Sequence, residues 1–335
     1  SVEGEKIIDI SESKKFIFSN VYELGKIYKS NDSMKKHIEC VLNLNLVDVE
    51  KIKSKKIKVV VDAVNSTGGL IVPDFLEELN IEVIKLYCEP NGDFPHNPEP
   101  LKKNLTELSK KVIECNADLG IAVDPDVDRL VFVCEDGELF GEENTLVACA
   151  DYVLSKTPGS TVSNLSSSRA LNDITKKHNQ VHYYSAVGEV NVVDKMKKCK
   201  AVIGGEGNGG VIYPKSHYGR DSIVGIGLFL SLYVERGLIA SKLLETYPKY
   251  FMVKEKINLS PSLDVDNILG QIAEKYKNEN IDLVDGVRID FKDSWVQLRK
   301  SNTEPIIRIY SEAKSNDKAS ELIKEIEILI KNIIS

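Results

Sequence analysis

The stretch Ile121-Ala-Val-Asp-Pro-Asp-Val-Asp-Arg-Leu-Val-Phe-Val133 decides how this chain is read. The apolar runs at its ends, residues 119–123 and 130–133, have the length and composition of buried strands. Between them stand Asp124, Asp126 and Asp128, followed by Arg129. On a continuous strand, carboxylates at i, i+2 and i+4 share one face but sit roughly 7 Å apart. That is too far to enclose one ion with bonds of about 2.0–2.6 Å. Pro125 removes a ladder donor, so the segment is expected to leave the strand and curl, converging the three acids. A hard divalent cation, Mg²⁺, would then offset their repulsion.

Outward from this loop the chain alternates strands and helices. Strands are expected at residues 57–61 and 82–86, with helices at 72–79, 101–115 and 142–154. Residues 89–100 carry four prolines and are read as a loop. From Thr157-Pro-Gly-Ser the scheme repeats: strands at 160–164, 180–185 and 201–203, a Ser-capped helix at 167–178, and helices at 191–197 and 223–234. The tail changes character. Residues 251–257, 286–291, 295–299 and 305–311 alternate like antiparallel strands, beside helices at 264–277 and 318–334. The first 56 residues are the least regular. A hairpin is read at 6–10 and 15–19, then a helix capped by Asp32 or Ser33 that carries Met34, Ile38, Val41 and Leu42 on one face, and a basic linker at 51–58. The fold class is α/β: two tandem mixed α/β domains followed by a small α+β C-terminal domain. The expected divisions are 1–56, 57–156, 157–250 and 251–335.

The chain has 335 residues, with 44 Lys+Arg against 51 Asp+Glu, a net charge of −7. That length allows two or three domains with cores of their own. The acidic balance argues against a nucleic-acid or anionic-membrane surface, although a local basic pocket remains open. No run reaches the ~18 apolar residues of a membrane span. Cys40, Cys88, Cys115, Cys134, Cys149 and Cys199 are scattered without metal-ligand spacing, which suits buried thiols in a reducing, cytoplasmic setting.

Two further motifs carry chemistry. Gly204-Gly-Glu-Gly-Asn-Gly-Gly210 follows an apolar strand. It contains G-x-G-x-x-G, yet Glu206 would face a pyrophosphate, and no clear helix start follows. A carboxylate and an amide between glycines suit hydroxyl groups better, Glu206 accepting and Asn208 doing both. Arg299-Lys-Ser-Asn-Thr-Glu-Pro305 gathers two cations, the hydroxyls of Ser301 and Thr303, and Asn302 at a turn; with Arg308 nearby, it forms a donor set suited to an anion. Arg220, in Tyr218-Gly-Arg-Asp-Ser222, either reaches a phosphate or merely precedes a helix capped by Asp221. His96 is read as a surface side chain and Trp295 as core. Two other motifs share part of the acidic loop's pattern. An EF-hand count fits Asp124, Asp126, Asp128 and Glu135, but its glycine position is Arg129. The Asp-x-Asp of a haloacid-dehalogenase-like phosphatase matches Asp124 and Asp126, but that motif expects no third Asp followed by Arg.

An acidic loop, a glycine-rich hydroxyl loop and a C-terminal anion loop, in that order, resemble the α-D-phosphohexomutase superfamily of phosphoglucosamine mutase, phosphomannomutase and phosphoglucomutase. The likeness runs from about residue 57 to the C-terminus. It implies Mg²⁺ at Asp124, Asp126 and Asp128, with a phosphoserine oxygen as a further ligand. It implies sugar hydroxyls at Glu206 and Asn208, and the non-reacting phosphate at Arg299, Ser301, Asn302 and Thr303, with Arg308 near. Arg129 would lie beside the reacting phosphate. The implied reaction moves a phosphoryl group between the 1- and 6-positions of a hexose phosphate through a sugar bisphosphate. The family's Thr/Ser-Ala-Ser-His-Asn-Pro phosphoserine loop is not found in these residues, so this chain alone is expected to be inactive. Val190 stands where the family often has Lys or Arg, with Arg220 as a stand-in. A non-catalytic hexose-phosphate-binding protein is the alternative. Partners are expected to be a hexose phosphate, neither nucleic acid nor membrane, and at most a second copy: a monomer or homodimer.

Overall fold

The computed structural model describes residues 2–14, 16–30, 32–258, 260, 263–301 and 306–334. Residues 1–36 and 37–335 form two compact units. The first holds helix α1 (Val2–Ser13) and a 3-10 turn at Val21–Glu23. A helix therefore stands where alternation suggested the first strand of a hairpin. Ile7, Ile8 and Ile10 fit either period, and an isolated two-stranded hairpin is marginal in water. Helix α2 (Ser33–Leu42) starts at the expected cap and buries Ile38 and Val41. The basic linker is also corrected. Helix α3 (Val49–Lys53), capped by Asp48 accepting from the Lys51 amide at 3.1 Å, fully buries Ile52.

The first sheet follows: β1 (Lys58–Asp62), α4 (Gly68–Glu78), β2 (Glu82–Leu86), α5 (Thr106–Glu114), β3 (Leu119–Val123), β4 (Leu130–Cys134) and α6 (Glu142–Lys156). Its order is β2-β1-β3-β4, with β1 parallel to β2 and β3, and β4 antiparallel to β3. Helix α4 starts four residues earlier than expected, at two glycines. A Cβ on Gly69 would fall 2.2 Å from the Cys88 carbonyl oxygen, so the helix start needs glycine to lie this close to its sheet.

The second sheet repeats the plan: β5 (Thr161–Asn164), α7 (Ala170–Lys177), β6 (His182–Ser185), α8 (Glu189–Cys199), β7 (Ile203–Glu206), β8 (Gly210–Ile212), α9 (Ser222–Arg236) and α10 (Ala240–Leu244). The order β6-β5-β7-β8 carries the same pattern of two parallel pairs and one antiparallel hairpin. Helix α7 begins beyond the serines, with Ser168 Oγ accepting from the Ala170 amide at 3.1 Å. One apolar core runs under both sheets, with Phe132 and Phe229 stacked at 3.7 Å, and α6 packs on α7, α9 and β7 as well as β4.

The tail is an antiparallel sheet: β9 (Phe251–Asn258), α11 (Val265–Lys275), β10 (Asn280–Asp282), β11 (Val287–Asp290), β12 (Ser294–Lys300), β13 (Ile306–Ala313) and α12 (Asn316–Ile334), in strand order β10-β11-β12-β13-β9. Val296, Leu298, Ile307 and Ile309 pack under α11 and α12, and Trp295 is fully buried, as expected. Among the described residues, no helix is long and apolar enough to cross a membrane.

Candidate active site

The acidic loop and the glycine loop occupy equivalent places in the two sheets. Each joins a parallel strand to its antiparallel neighbour, β3 to β4 and β7 to β8, at the carboxyl edge where open α/β sheets bind ligands. The two loops touch directly, the Leu130 amide donating to the Gly209 carbonyl at 3.1 Å.

The acidic loop curls as its sequence requires. Asp124 Oδ1 accepts from the Asp128 and Arg129 amides at 3.1 and 3.0 Å. Ser66 and Thr67, before α4, donate their hydroxyls to the Pro125 carbonyl at 2.8 and 2.7 Å. The Ser222 amide at the start of α9 donates to the Val127 carbonyl at 3.0 Å. Val127 is held at φ 63°, costly for a β-branched residue and sustained by these anchors. The result is convergence: one carboxylate oxygen each from Asp124, Asp126 and Asp128 lie within 4.8 Å of one another. Burial, then the neighbouring Asp128 and Asp126 charges, push the Asp124 carboxyl up to about 7 despite the loop amides; burial also raises Asp128, against the pull of Arg220. An all-oxygen donor set strained by its own charge fits a hard divalent cation.

Arg220 bridges the two loops. Its guanidinium pairs with Asp128, donates to Glu206 Oε2 at 2.8 Å and lies 3.6 Å from Glu189 Oε2, beside Val190. Arg129 lies 3.5 Å from Asp124, 3.8 Å from Asp128 and 3.8 Å from Glu99. The Nε atoms of Arg129 and Arg220 are buried without a hydrogen-bond acceptor. Each Nε has a carboxylate at 3.5–3.6 Å but no hydrogen bond, so two guanidinium donors beside the acidic loop suit a phosphoryl group that brings its own oxygens.

The glycine stretch is a hairpin rather than a free loop, since Gly204, Gly205 and Glu206 pair with Ile212, Val211 and Gly210. Glu206 is buried and already accepts from Asn164 Nδ2 (2.7 Å), the Gly188 amide (3.2 Å) and Arg220. Asn208 is half-buried, its Oδ1 accepting from the Gly210 amide at 3.2 Å. A Cβ on Gly207 would fall 2.1 Å from Glu143 Oε2, so a side chain there would have to displace that carboxylate.

From Glu206 a polar chain continues to the tail. Gly188 is followed back along the chain by Val187, whose amide donates to Asp285 Oδ2 at 2.9 Å; Arg299 Nη1 lies 3.7 Å from the same oxygen. Ser166 Oγ donates to Gln297 Oε1 at 2.7 Å, a second tie between the second sheet and the tail. The Ser301 amide donates to the Ile306 carbonyl, closing the β12–β13 connection. Asn302 and Thr303 lie outside the described residues. Arg308 sits opposite Arg299 on β13. Asp285, Asn164, Glu189 and Gln297 were missed by motif reading; the one local signal was Asp285-Gly286, a turn pair whose carboxylate proves to be a junction.

His96 is corrected. It is not a surface side chain: its Nε2 meets the buried Asp62 Oδ2 at 3.0 Å and its Nδ1 meets the Asn97 carbonyl at 2.8 Å. The Asp62 hydrogen bond raises its pKa against burial. Two further histidines, unassigned in sequence, hold Asp221. This residue caps α9 through Oδ1 and takes His217 (2.8 Å) and His37 (2.9 Å) on Oδ2. Burial alone would raise Asp221, but the His217 and His37 hydrogen bonds outweigh it and hold the carboxyl well below its usual range. The same contact raises His37. A raised imidazole stabilises fully below its unfolded pKa of about 6.5 and loses that contribution as pH rises through the folded value. His37→Ala should therefore show a stability deficit about 1 kcal/mol larger near pH ~6 than near pH ~9. Urea unfolding at the two pH values checks this; a deficit independent of pH would mean that His37 only fills space.

Comparison with known proteins follows the same segmentation. Residues 35–137 match the phosphoglucomutase/phosphomannomutase alpha/beta/alpha domain II, residues 142–250 domain III, and residues 257–329 the C-terminal domain. A phosphoglucomutase/phosphomannomutase of Thermococcus kodakarensis is 38% identical over 306 residues, 90% of this chain and 66% of that protein. A probable phosphoglucosamine mutase of Methanopyrus kandleri is 32% identical over all of this chain and 74% of its own length. The chain thus spans about two thirds to three quarters of these relatives. A phosphoglucomutase/phosphomannomutase family protein of Burkholderia thailandensis has the same fold, with TM-score 0.85 over 99% of this chain and 70% of that one at 22% identity.

Proposed function

Since the chain belongs to the phosphoglucomutase/phosphomannomutase family, we propose that it is the metal-, sugar- and phosphate-binding body of a phosphohexomutase acting on glucosamine, mannose or glucose phosphate. The observation that carries this reading is the polar chain Asp128–Arg220–Glu206–Gly188/Val187–Asp285–Arg299, which links three motifs far apart in sequence.

In this reading Asp124, Asp126 and Asp128 hold Mg²⁺, which when bound supplies charge stabilisation to a transferring phosphoryl group. Arg129 and Arg220 offer to the same group their Nε–H donors, which make no hydrogen bond within the chain, and fixed donors act most strongly because they need no reorganisation. Arg220 does this while its other nitrogens stay on Asp128 and Glu206, so the sugar loop and the metal loop are positioned by one side chain. With Glu206 engaged by protein donors, sugar hydroxyls fall chiefly to Asn208, Glu206 acting as its anchor. Arg299, Ser301, Asn302, Thr303 and Arg308 grip the phosphate that does not react. The phosphoryl donor is a phosphoserine not found among these residues, and the sugar turns around as a bisphosphate between the two half-reactions.

Phosphorus NMR on this chain with Mg²⁺ and glucosamine 6-phosphate tests the reading. We expect perturbed substrate resonances without conversion to the 1-phosphate. Release of inorganic phosphate, abolished by Asp124→Asn, would instead make the protein a phosphatase.

A further inference from the structure

Alternation along the tail sheet turns Val253, Ile257, Val296, Leu298, Ile307 and Ile309 toward α11 and α12. Their neighbours therefore face the other way, and register places them in rows. Arg299 stands opposite Arg308, and Arg308 opposite Lys256, so that three cations cross β12, β13 and β9 side by side. The next row on the same face is Gln297, Tyr310 and Lys254. Like charges directly opposite one another destabilise a sheet, and a protein normally answers them with carboxylates. Here Arg299 has Asp285 at 3.7 Å and Lys254 acts on the buried Glu143 carboxyl, whereas Arg308 and Lys256 have no ion-pair partner among the described residues. Lys254 also sits over the Tyr310 ring, 5.7 Å from its centroid. A groove of about 330 Å³ opens over these groups, lined by Lys254, Glu255, Lys256, Ile306, Arg308 and Tyr310. Three cations against one carboxylate leave it positive.

We propose that Lys256 is a phosphate-binding residue, supplied by edge strand β9, that works with Arg308 and Lys254 to bind a phosphomonoester dianion beside the Arg299–Ser301 turn. This rests on the functional reading above and adds to it. The grip on the non-reacting phosphate is then not confined to the β12–β13 connection but extends across two more strands. Lys256 is exposed, so its ammonium is open to a ligand entering the groove.

Calorimetric titration of the full chain with inorganic phosphate and with glucosamine 6-phosphate, in the presence of Mg²⁺, tests this. Lys256→Met should weaken binding of both about tenfold, Lys256→Arg should restore most of it, and Lys275→Met on α11 should leave it unchanged. Loss for glucosamine 6-phosphate alone still supports the site, as one that reads the phosphate only when the sugar positions it. Because the variant removes one of three neighbouring cations, the ligand-free Lys256→Met protein should melt slightly higher than the parent; a merely structural lysine would lower it. Unchanged affinity in Lys256→Met, with the parent binding well, would overturn this inference and leave the functional reading standing. No binding of any hexose phosphate by the parent would overturn both.

Discussion

Asp124→Asn is expected to abolish Mg²⁺ binding and, in the metal-free chain, to raise stability. The two effects have one cause. Asp124 sits among three carboxylates with a carboxyl pushed from 3.8 to about 7, chiefly by burial and then by its acidic neighbours. A folded value above the unfolded one means the native state keeps a proton the unfolded chain gives up. Stability from this group is therefore present below about pH 4 and lost as pH rises to about 7. The gap corresponds to an upper bound on the order of 4 kcal/mol. Asparagine keeps the Oδ1 that accepts the Asp128 and Arg129 amides, so the loop retains its curl, but it gives up the 3.5 Å contact with Arg129. A net gain of about 2 kcal/mol near pH ~8 follows, shrinking toward zero near pH ~4. Thermal unfolding with chelator, and again with Mg²⁺, reads both halves: the parent should gain stability on adding the metal, as a native-state ligand requires, and the variant should not. A variant less stable than the parent in chelator would mean that these acids do not repel one another as described.

Arg220→Met should act in the opposite direction and strongly. The guanidinium is mostly buried and pairs with Asp128 and Glu206 at once, with Glu189 close by. Removing it leaves buried carboxylates without their cation, which costs about 3–5 kcal/mol. Arg220→Lys should recover less than half of this, because one ammonium cannot reproduce a planar fork with two separated partners. Urea unfolding measures the loss. Hexose-phosphate affinity should fall with it, since Glu206 and the metal loop are positioned through the same side chain. A stable Arg220→Met chain with undiminished sugar-phosphate affinity would remove Arg220 from the site.

The parts of this site that were legible in sequence were those written as local patterns. Pro125 and the spacing of Asp124, Asp126 and Asp128 announced a curl, and the curl converges them. Apolar runs marked the buried strands β1, β3 and β4 of the first sheet, because a strand covered on both faces is apolar throughout, whereas β5 to β8 of the second sheet carry polar residues and glycines among few apolar ones. What local patterns could not carry was partnership. Glu206 reads as a ligand-facing carboxylate until Asn164, Gly188 and Arg220 are seen around it. Asp285 and Gln297 belong to no motif, and their ties to the second sheet come from residues about 100 or more positions earlier. His96 looked like a loop side chain because Asp62, its partner, lies at the end of a strand 34 residues earlier. Short elements failed for another reason: the five residues of α3 span too little of the helical period to be told from a basic linker. At the N-terminus, isoleucines compatible with both periods left helix and strand undecided.

The central claim is that the acidic loop, the glycine hairpin and the tail cations form one hexose-phosphate site. Calorimetric titration of this chain with glucosamine 6-phosphate, with and without Mg²⁺, tests it most directly. Saturable binding that strengthens with Mg²⁺, and that is lost on Arg299→Met or Arg308→Met, is the predicted result. Absence of binding by every hexose phosphate tried, with the chain folded and Mg²⁺ present, would contradict it.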